Sequence, residues 1–268
     1  VALLVLFVRH ERVAAEPILP LPLLRNRTYH TTLLLGFIGG AGMFGSLTYV
    51  PLYLQAVHGI SATESGLLFA PTVVITIGAS VLTGFFMQQI GYRRLAFATM
   101  AAGAIGFFIL AGLPPASGVF PVVLAVSIIA GGVGLSFPVL LLLAQNSVQR
   151  EVMGVATSLV QLSRSLGGTL GVTVLGAYLA IHLADLVGGA VRSDELTNLV
   201  RPEVLAAMAP SQVALLRAEM ADALRGVFAV GAVSMAIATA LSLRLEEIKV
   251  APRRGFGRMR NAELQSAE

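Results

Sequence analysis

Arg164 is a charged side chain inside a long apolar stretch of this 268-residue sequence, and its neighbours are polar. Thr157, Ser158 and Gln161 lie within two helical turns of it and carry groups that donate and accept hydrogen bonds. A guanidinium surrounded by apolar groups costs roughly 3 kcal/mol or more. Arg164 therefore either faces a cavity as a binding or gating group, or extends from a protruding helix to a polar boundary. The sequence leaves both interpretations open.

A second polar group lies at the end of an earlier apolar stretch. Tyr49, Tyr53 and Gln55 are spaced so that a helix brings them near one another. In one interpretation these side chains contact an amphipathic ligand. Tyrosine is also enriched where apolar helices meet lipid headgroups, and we favour that second interpretation for the two tyrosines.

Candidates for metal binding and catalysis are few. The sequence has no cysteine, which removes thiolate metal sites and disulfides. His182 and Asp185 lie one helical turn apart, but two ligands do not make a metal site. The apolar stretches also lack a nucleophile elbow, a phosphate loop and a Ser-His-Asp set. We therefore predict no metal, no cofactor and no enzyme activity.

The elements that must position these residues are six long apolar stretches. Hydrophobic residues make up 56% of the sequence and charged residues 12%, and the mean hydropathy of +0.84 exceeds that of a soluble protein. Runs of this length fit helices that cross a bilayer, and they lack the alternation of barrel strands. We predict an all-α integral membrane fold. The predicted spans are residues 31–57, 64–90, 95–113, 119–144, 154–183 and 223–243.

The sequence divides into three parts. Residues 1–30 are predicted to contain the end of a truncated helix and a basic, proline-punctuated linker. Residues 31–244 are predicted to form the six-helix bundle, with an external loop at residues 184–221 that contains a surface helix near residues 210–220. Residues 245–268 are polar and basic, and we predict a cytoplasmic tail.

The positions of the arginines predict the orientation of the chain. If the helices alternate in direction, one side carries the arginines of the short connectors, and the positive-inside rule makes that side cytoplasmic. The net charge of +4 then reflects membrane topology and not a nucleic-acid-binding face. We expect a multi-pass protein of the plasma (inner) membrane with a cytoplasmic C-terminus. The basic residues of this side are Arg9, Arg12, Arg25, Arg27, Arg93, Arg94, Arg150, Arg244, Lys249, Arg253, Arg254, Arg258 and Arg260.

Four segments carry a family resemblance. The proline-rich linker at residues 16–27, and Tyr-Val-Pro-Leu-Tyr-Leu-Gln at residues 49–55, resemble the fourteen-helix drug:proton antiporter branch of the major facilitator superfamily. Residues 145–148 with 154–157, and Arg-Ser-Leu-Gly-Gly-Thr-Leu-Gly at residues 164–171, resemble the last cytoplasmic loop and the penultimate helix of that branch. The resemblance covers almost the whole chain, from the end of the family's eighth helix through its fourteenth. It implies a six-helix half-bundle of the major facilitator fold.

The resemblance also assigns a loop motif after the second helix of each half, of the form G-x-x-x-D-R-x-G-R-R. Gly84, Gly91, Arg93 and Arg94 match this motif, whereas two glutamines replace its acid and its first base. A gating ion pair built on that acid is therefore not expected in this chain. Arg93 and Arg94 are expected to remain available to helix C-termini or lipid headgroups.

The function that the resemblance implies is export of amphipathic small molecules by a proton-coupled multidrug efflux permease, through alternating access. The expected partners are the lipid bilayer, an amphipathic small-molecule substrate, protons and a missing N-terminal half. No Asp or Glu lies in the middle of an apolar stretch, so we expect the proton-carrying residues in that other half. The alternatives are export of a metabolite or siderophore on the same fold, and a non-transporting remnant of such a gene.

Overall fold

Six long helices form the computed structural model of this chain, which describes residues 23, 25–187 and 210–246. All six are long and apolar enough to cross a membrane, and no strand occurs within these ranges. The predicted all-α membrane architecture is therefore confirmed. The helices are α1 (Arg27–His58), α2 (Ala62–Ile90), α3 (Tyr92–Gly112), α4 (Val119–Asn146), α5 (Met153–Val187) and α6 (Pro210–Ser242), and a 3₁₀ turn at Arg150–Val152 precedes α5.

Local sequence signals begin and end the first helices. The side chain of Asn26 accepts a hydrogen bond from the backbone N–H of Tyr29 and caps the start of α1. Gly59 ends α1 with a φ of 68°, a left-handed conformation that favours glycine. Ser61 and Glu64 then form a reciprocal capping box at the start of α2. These signals confine the turn between α1 and α2 to three residues.

Interhelical hydrogen bonds show that α1 and α5 run side by side in the same direction. The Tyr29 hydroxyl donates to the carbonyl of Ala156 over 3.1 Å, and the Tyr49 hydroxyl donates to the carbonyl of Val172 over 2.8 Å. Residue numbers rise together along the two helices, so the pair is parallel. Of all the helix pairs, these two share the largest contact.

A second parallel pair is formed by α2 and α4. The Ser80 hydroxyl donates to the carbonyl of Gly134 over 2.8 Å, and the Thr76 hydroxyl lies 3.4 Å from the carbonyl of Ala130. Helices α3 and α6 pack against each other in opposite directions, since Arg225 near the start of α6 reaches Ala111 at the end of α3. The helices therefore alternate in direction along the chain.

Small residues allow the backbones of α1 and α5 to approach closely. A Cβ atom on Gly40 would overlap the carbonyl oxygen of Arg164, and one on Gly167 would overlap the carbonyl oxygen of Phe37. A Cβ atom on Gly171 would lie 2.6 Å from the Cβ of Ala41. Gly167 and Gly171, four positions apart on α5, thus permit close helix contact.

The described charged residues differ between the two ends of the bundle. One end contains the starts of α1, α3 and α5, and we call it the arginine-rich end. The arginines of the described residues at this end are Arg25, Arg27, Arg93, Arg94, Arg150 and Arg244. The opposite end contains Glu64, Glu219 and Asp222 together with Arg217 and Arg225.

The helix ends differ from the predicted boundaries. The largest difference lies in the predicted loop at residues 184–221, because α5 continues to Val187 and α6 begins at Pro210. Proline is well suited to the first turn of a helix, and Met220, which follows in the same segment, is fully buried. Burial of this segment against the bundle therefore extends α6 beyond its apolar part.

The other boundaries shift by fewer residues. Helix α1 begins at Arg27, and α3 begins at Tyr92, directly after the single linking residue Gly91. The prolines at 51, 71 and 138 lie within continuous helices. The predicted truncated helix and linker up to residue 22, the middle of the external loop and the tail from residue 247 lie outside the described residues.

Candidate functional site

Arg164 lies in the part of α5 nearest the arginine-rich end. Contacts with α1 hold its backbone in position. Its backbone carbonyl faces Gly40, where a Cβ atom would not fit. The preceding Ser163 donates its hydroxyl hydrogen to the carbonyl of Leu33 over 2.8 Å. These two contacts on α1 hold the backbone from which the Arg164 side chain extends.

The guanidinium of Arg164 is partly buried between α1, α4 and α5. Its central carbon lies 4.3 Å from the ring centroid of Phe137, a distance typical of a cation–π contact. Its Nη1 atom lies 3.9 Å from the sulfur of Met43. Its Nε atom is buried and has no hydrogen-bond acceptor among the described residues.

The positive charge of Arg164 has no neutralising carboxylate in the described structure. The ion pair found within the described residues joins Arg225 and Asp222, near the start of α6. Between residues 27 and 183 the acids are Glu64 and Glu151, and both lie at helix ends. Arg164 therefore presents an unpaired cation inside a helix bundle.

An apolar cavity of about 210 Å³ lies beside this cation, between α1, α2 and α4. Met43 lines the cavity and also contacts the guanidinium, so this one residue borders both features. The hydroxyls of Thr72 and Thr76 face the cavity but donate to backbone carbonyls of α2, at 2.6 and 2.8 Å. The cavity wall is consequently apolar.

Helix α5 exposes two ridges of different character. One ridge is polar and repeats every four residues, and we call it the polar ridge. It consists of Thr157, Gln161, Ser165, Thr169 and Thr173. The second ridge is offset by one residue, and we call it the apolar ridge. It consists of Leu162, Leu166, Leu170 and Val174, each of which is at least 50% exposed.

The predicted neighbours of Arg164 belong to the same region of α5. Thr157, Gln161 and Arg164 share one helical face. The hydroxyls of Thr157 and Ser158 both donate to the carbonyl of Gly154, at 2.8 and 3.0 Å, while Gln161 is exposed. These hydroxyl oxygens keep free lone pairs that can accept hydrogen bonds from water or a ligand.

The structure does not bring Tyr49, Tyr53 and Gln55 to the Arg164 region. Tyr49 is buried and bonded to α5, and Tyr53 is fully buried with its ring edge-on to Phe228, 5.6 Å between centroids. The amide of Gln55 lies 3.4 Å from the hydroxyl of Ser65 on α2. All three therefore take part in helix packing near the end of α1.

The residues of the predicted loop motif occupy three different settings. Gly84 is not part of a loop, because it lies inside α2. A side chain at this position would meet open space. Gly91 has a φ of 80° and links α2 to α3. Arg93 and Arg94 lie in the first turn of α3, where the helix dipole disfavours a cation. Arg93 is partly buried and Arg94 is exposed, and their binding to other helix C-termini or to lipid headgroups stays a prediction.

Three residues of this structure were missed by the sequence reasoning. Phe137 and Met43 contact Arg164 from other helices, and no local signal identifies such neighbours. Arg225 donates through Nε to the carbonyl of Ala111 over 3.1 Å and pairs with Asp222 at 3.3 Å. The spacing of Asp222 and Arg225, one helical turn apart, was the available signal for that pair.

Metal binding has no support in the described part of the chain. No group of three potential ligands occurs there. The His182 ring packs against Tyr178, 4.0 Å between centroids, and its Nδ1 lies 3.0 Å from the Tyr178 carbonyl.

Six apolar helices, with a partly buried cation and an exposed polar ridge on α5, define a multi-pass membrane protein. Comparison with known proteins gives the family: residues 2–172 match the Major Facilitator Superfamily, and the chain belongs to it. This is a family of membrane transporters, so the expectation that the chain is not an enzyme is confirmed.

Several relatives bear names that refer to drug efflux. The chain is 32% identical to the multidrug transporter protein MdtP of Bacillus subtilis, over 92% of this chain and 51% of that protein. It is 31% identical to a tetracycline resistance determinant of Streptomyces rimosus, over 64% of this chain and 51% of that protein. It is 32% identical to the drug efflux pump JefA of Mycobacterium tuberculosis, over 73% of this chain and 38% of that protein. The chain thus spans about half the length of these relatives or less.

Proposed function

We propose that the chain is the C-terminal half of a fourteen-helix drug:proton antiporter. The complete protein exports amphipathic small molecules across the plasma (inner) membrane. Relatives named as a multidrug transporter and a drug efflux pump support this assignment, as does the share of their length that the chain spans. Six helices with parallel α1–α5 and α2–α4 pairs provide one rigid half that can rock against another.

The observation that carries this proposal is the exposed polar ridge of α5 beside Arg164. Lipid-facing surfaces of membrane helices are apolar, and polar groups in a span face protein or water. The apolar ridge can therefore face lipid, whereas the polar ridge must face protein or water. The polar ridge therefore lines an aqueous pathway between the two halves, with Arg164 near its cytoplasmic end.

Proton coupling in this proposal depends on the other half. The described spans carry no carboxylate in their middle, and the proton carriers of a membrane antiporter are usually such groups. The chain then contributes the polar ridge, the apolar cavity and Arg164, while carboxylates elsewhere in the protein take up protons.

The orientation follows from the arginine-rich end. Arg93, Arg94, Arg150 and Arg244 lie there, and short basic connectors remain on the cytoplasmic side. The start of α6 with Glu219 and Asp222 then lies outside.

An efflux assay tests the proposed function. The complete protein is expressed in bacteria that lack their main efflux pumps, and the release of preloaded cationic, neutral and anionic amphipathic dyes is followed by fluorescence. We expect energy-dependent release of at least one dye that stops when a protonophore collapses the proton gradient. Cells that express residues 1–268 alone are the control, and we expect no efflux from them.

Two outcomes would contradict the proposal. If the complete protein released none of the dyes, this result would contradict the proposed transport function. Strong proton-dependent release from cells that contain residues 1–268 alone would show that the chain is not one half of a transporter.

A further inference from the structure

We infer that Arg164, with Phe137 and Met43, binds the negatively charged group of an amphipathic substrate whose apolar body occupies the adjacent cavity. This inference rests on the proposed transport function and specifies the substrate class. It concerns the region between α1, α4 and α5, which we call the Arg164 site.

Charge is the first argument. The guanidinium carries five N–H donors and no acceptor, so it recognises anions and acceptor groups. Its Nε atom is buried without an acceptor, and its side chain forms no ion pair within the described residues. The side chain as a whole is partly exposed, so a bound carboxylate or sulfonate would neutralise the guanidinium through its accessible part.

Preorganisation is the second argument. Phe137 supports the guanidinium from one side at 4.3 Å, and the sulfur of Met43 lies 3.9 Å from Nη1. The α5 backbone beneath it is fixed by the close contact with Gly40. An arginine held in this way loses little side-chain entropy when it binds an anion.

The cavity supplies the third argument. It is lined by apolar side chains that include Phe69, Ile77 and Val133, and Met43 borders both the cavity and the guanidinium. The two threonine hydroxyls in its wall donate to backbone carbonyls, so the wall offers no donor to a charged ligand. A molecule with an anionic group and an apolar body matches both parts of this surface.

Cationic molecules do not match it. No carboxylate lies in the middle of the described spans, and the charge of Arg164 near the cavity repels positive charge. The Arg164 site therefore selects against cations. Affinity of the whole transporter for cationic compounds would come from residues outside this site.

Two dyes that differ by one charged group test the inference. 8-Anilinonaphthalene-1-sulfonate and N-phenyl-1-naphthylamine share their aromatic body, but the first carries a sulfonate. The complete transporter is placed in lipid nanodiscs, and its fluorescence with each dye is compared with that of empty nanodiscs. We expect the wild-type protein to bind the sulfonate at least about tenfold more tightly than the uncharged dye.

Variants of Arg164 assign that preference to the guanidinium. Arg164→Gln should lower the affinity for the sulfonate by about tenfold and leave the affinity for the uncharged dye unchanged. Arg164→Lys keeps the charge but loses the planar group that stacks on Phe137, and it should retain part of the preference. Arg244→Gln removes an exposed arginine at the end of α6 and should change neither affinity.

The outcomes separate this inference from the proposed function. Equal binding of both dyes by the wild-type protein overturns the inference, and this measurement needs no variant to fold. Unchanged affinity in Arg164→Gln also overturns it, as expected if a carboxylate of another part of the protein already pairs with Arg164. Efflux without anion preference leaves the transport function intact, and anion binding without efflux contradicts the transport function alone.

Discussion

Arg225 is an example of a single side chain that connects two helices. It lies on α6, and its Nε donates to the carbonyl of Ala111 in the last turn of α3. The last carbonyls of a helix lack partners within the helix and carry partial negative charge. Arg225 satisfies one of these carbonyls, while Asp222 lies 3.3 Å from its Nη1.

Removing this contact should weaken the α3–α6 pair. We expect Arg225→Gln to lower the free energy of unfolding by about 2 kcal/mol, because a partly buried hydrogen bond from a charged donor is lost. Asp222→Asn is the control, and we expect about 0.5 kcal/mol or less because this pair is largely exposed. Thermal unfolding of the purified protein in detergent measures both. A larger effect of Asp222→Asn than of Arg225→Gln would contradict this account.

Gly40 shows the effect of one missing methyl group at a helix contact. A Cβ atom there would overlap the backbone carbonyl of Arg164, so Gly40→Ala must push α1 away from α5. We expect a loss of about 1–3 kcal/mol. Gly78 lies in α2 with open space around it, and Gly78→Ala should instead stabilise the helix by up to about 1 kcal/mol. The two changes should therefore shift the melting temperature in opposite directions, and a matching shift would refute the close contact.

At the scale of elements, α5 is the helix with the most differentiated surface. Its buried face packs on α1 through Gly167 and Gly171. Its polar and apolar ridges lie on the remaining surface. In the proposed transporter the three faces therefore meet protein, water and lipid.

Cysteine accessibility tests this division of α5. The chain has no native cysteine, so a thiol placed in it reacts without background from the same chain. We expect Ser165→Cys, Thr169→Cys and Thr173→Cys to react with a charged methanethiosulfonate at least about tenfold faster than the apolar-ridge positions, because only a hydrated thiol ionises readily. Reaction rates are measured in membranes by a mass shift after reagent addition.

The control positions lie one residue further along the same turns. Leu166→Cys, Leu170→Cys and Val174→Cys are as exposed in the bundle, yet in the membrane they should be shielded by lipid. Fast reaction on both ridges would show that α5 has no lipid-facing side. Slow reaction on both would contradict the proposed aqueous pathway.

The sequence predicted the elements better than it predicted their contacts. All six spans are recognisable because continuous apolar runs of about twenty residues are typical of helices that cross a membrane. A surface helix near residues 210–220 was predicted, but its continuation into the last span as one helix was not, because its first turns are polar and depend on tertiary contacts such as that of Met220. Arg164 was identifiable as a charge in an apolar run, but its neighbours Phe137 and Met43 depend on the rotation of α4 and α1, which hydropathy does not determine.

For the molecule as a whole, burial is uneven among the helices. In the apolar segment of α2, 11% of the residues are buried, whereas 44% are buried in the apolar segments of α3 and α4. Val74 and Val81 of α2 are 71% and 77% exposed. Exposed apolar surface of this extent requires lipid or another protein surface. In the proposed transporter, α2 supplies much of the surface that contacts the bilayer and the other half.

The orientation of the whole molecule in the membrane gives the last prediction. The arginine-rich end is expected to be cytoplasmic, because basic residues in short connectors resist translocation. A thiol at Arg94→Cys should therefore resist a membrane-impermeant maleimide added to intact cells, whereas one at Ser61→Cys, in the opposite turn, should react. After permeabilisation both should react, which shows that Arg94→Cys is accessible from the other side. Labelling of Arg94→Cys from outside would show that the bundle has the opposite orientation. The Arg164 site would then lie in the external half of the transport pathway.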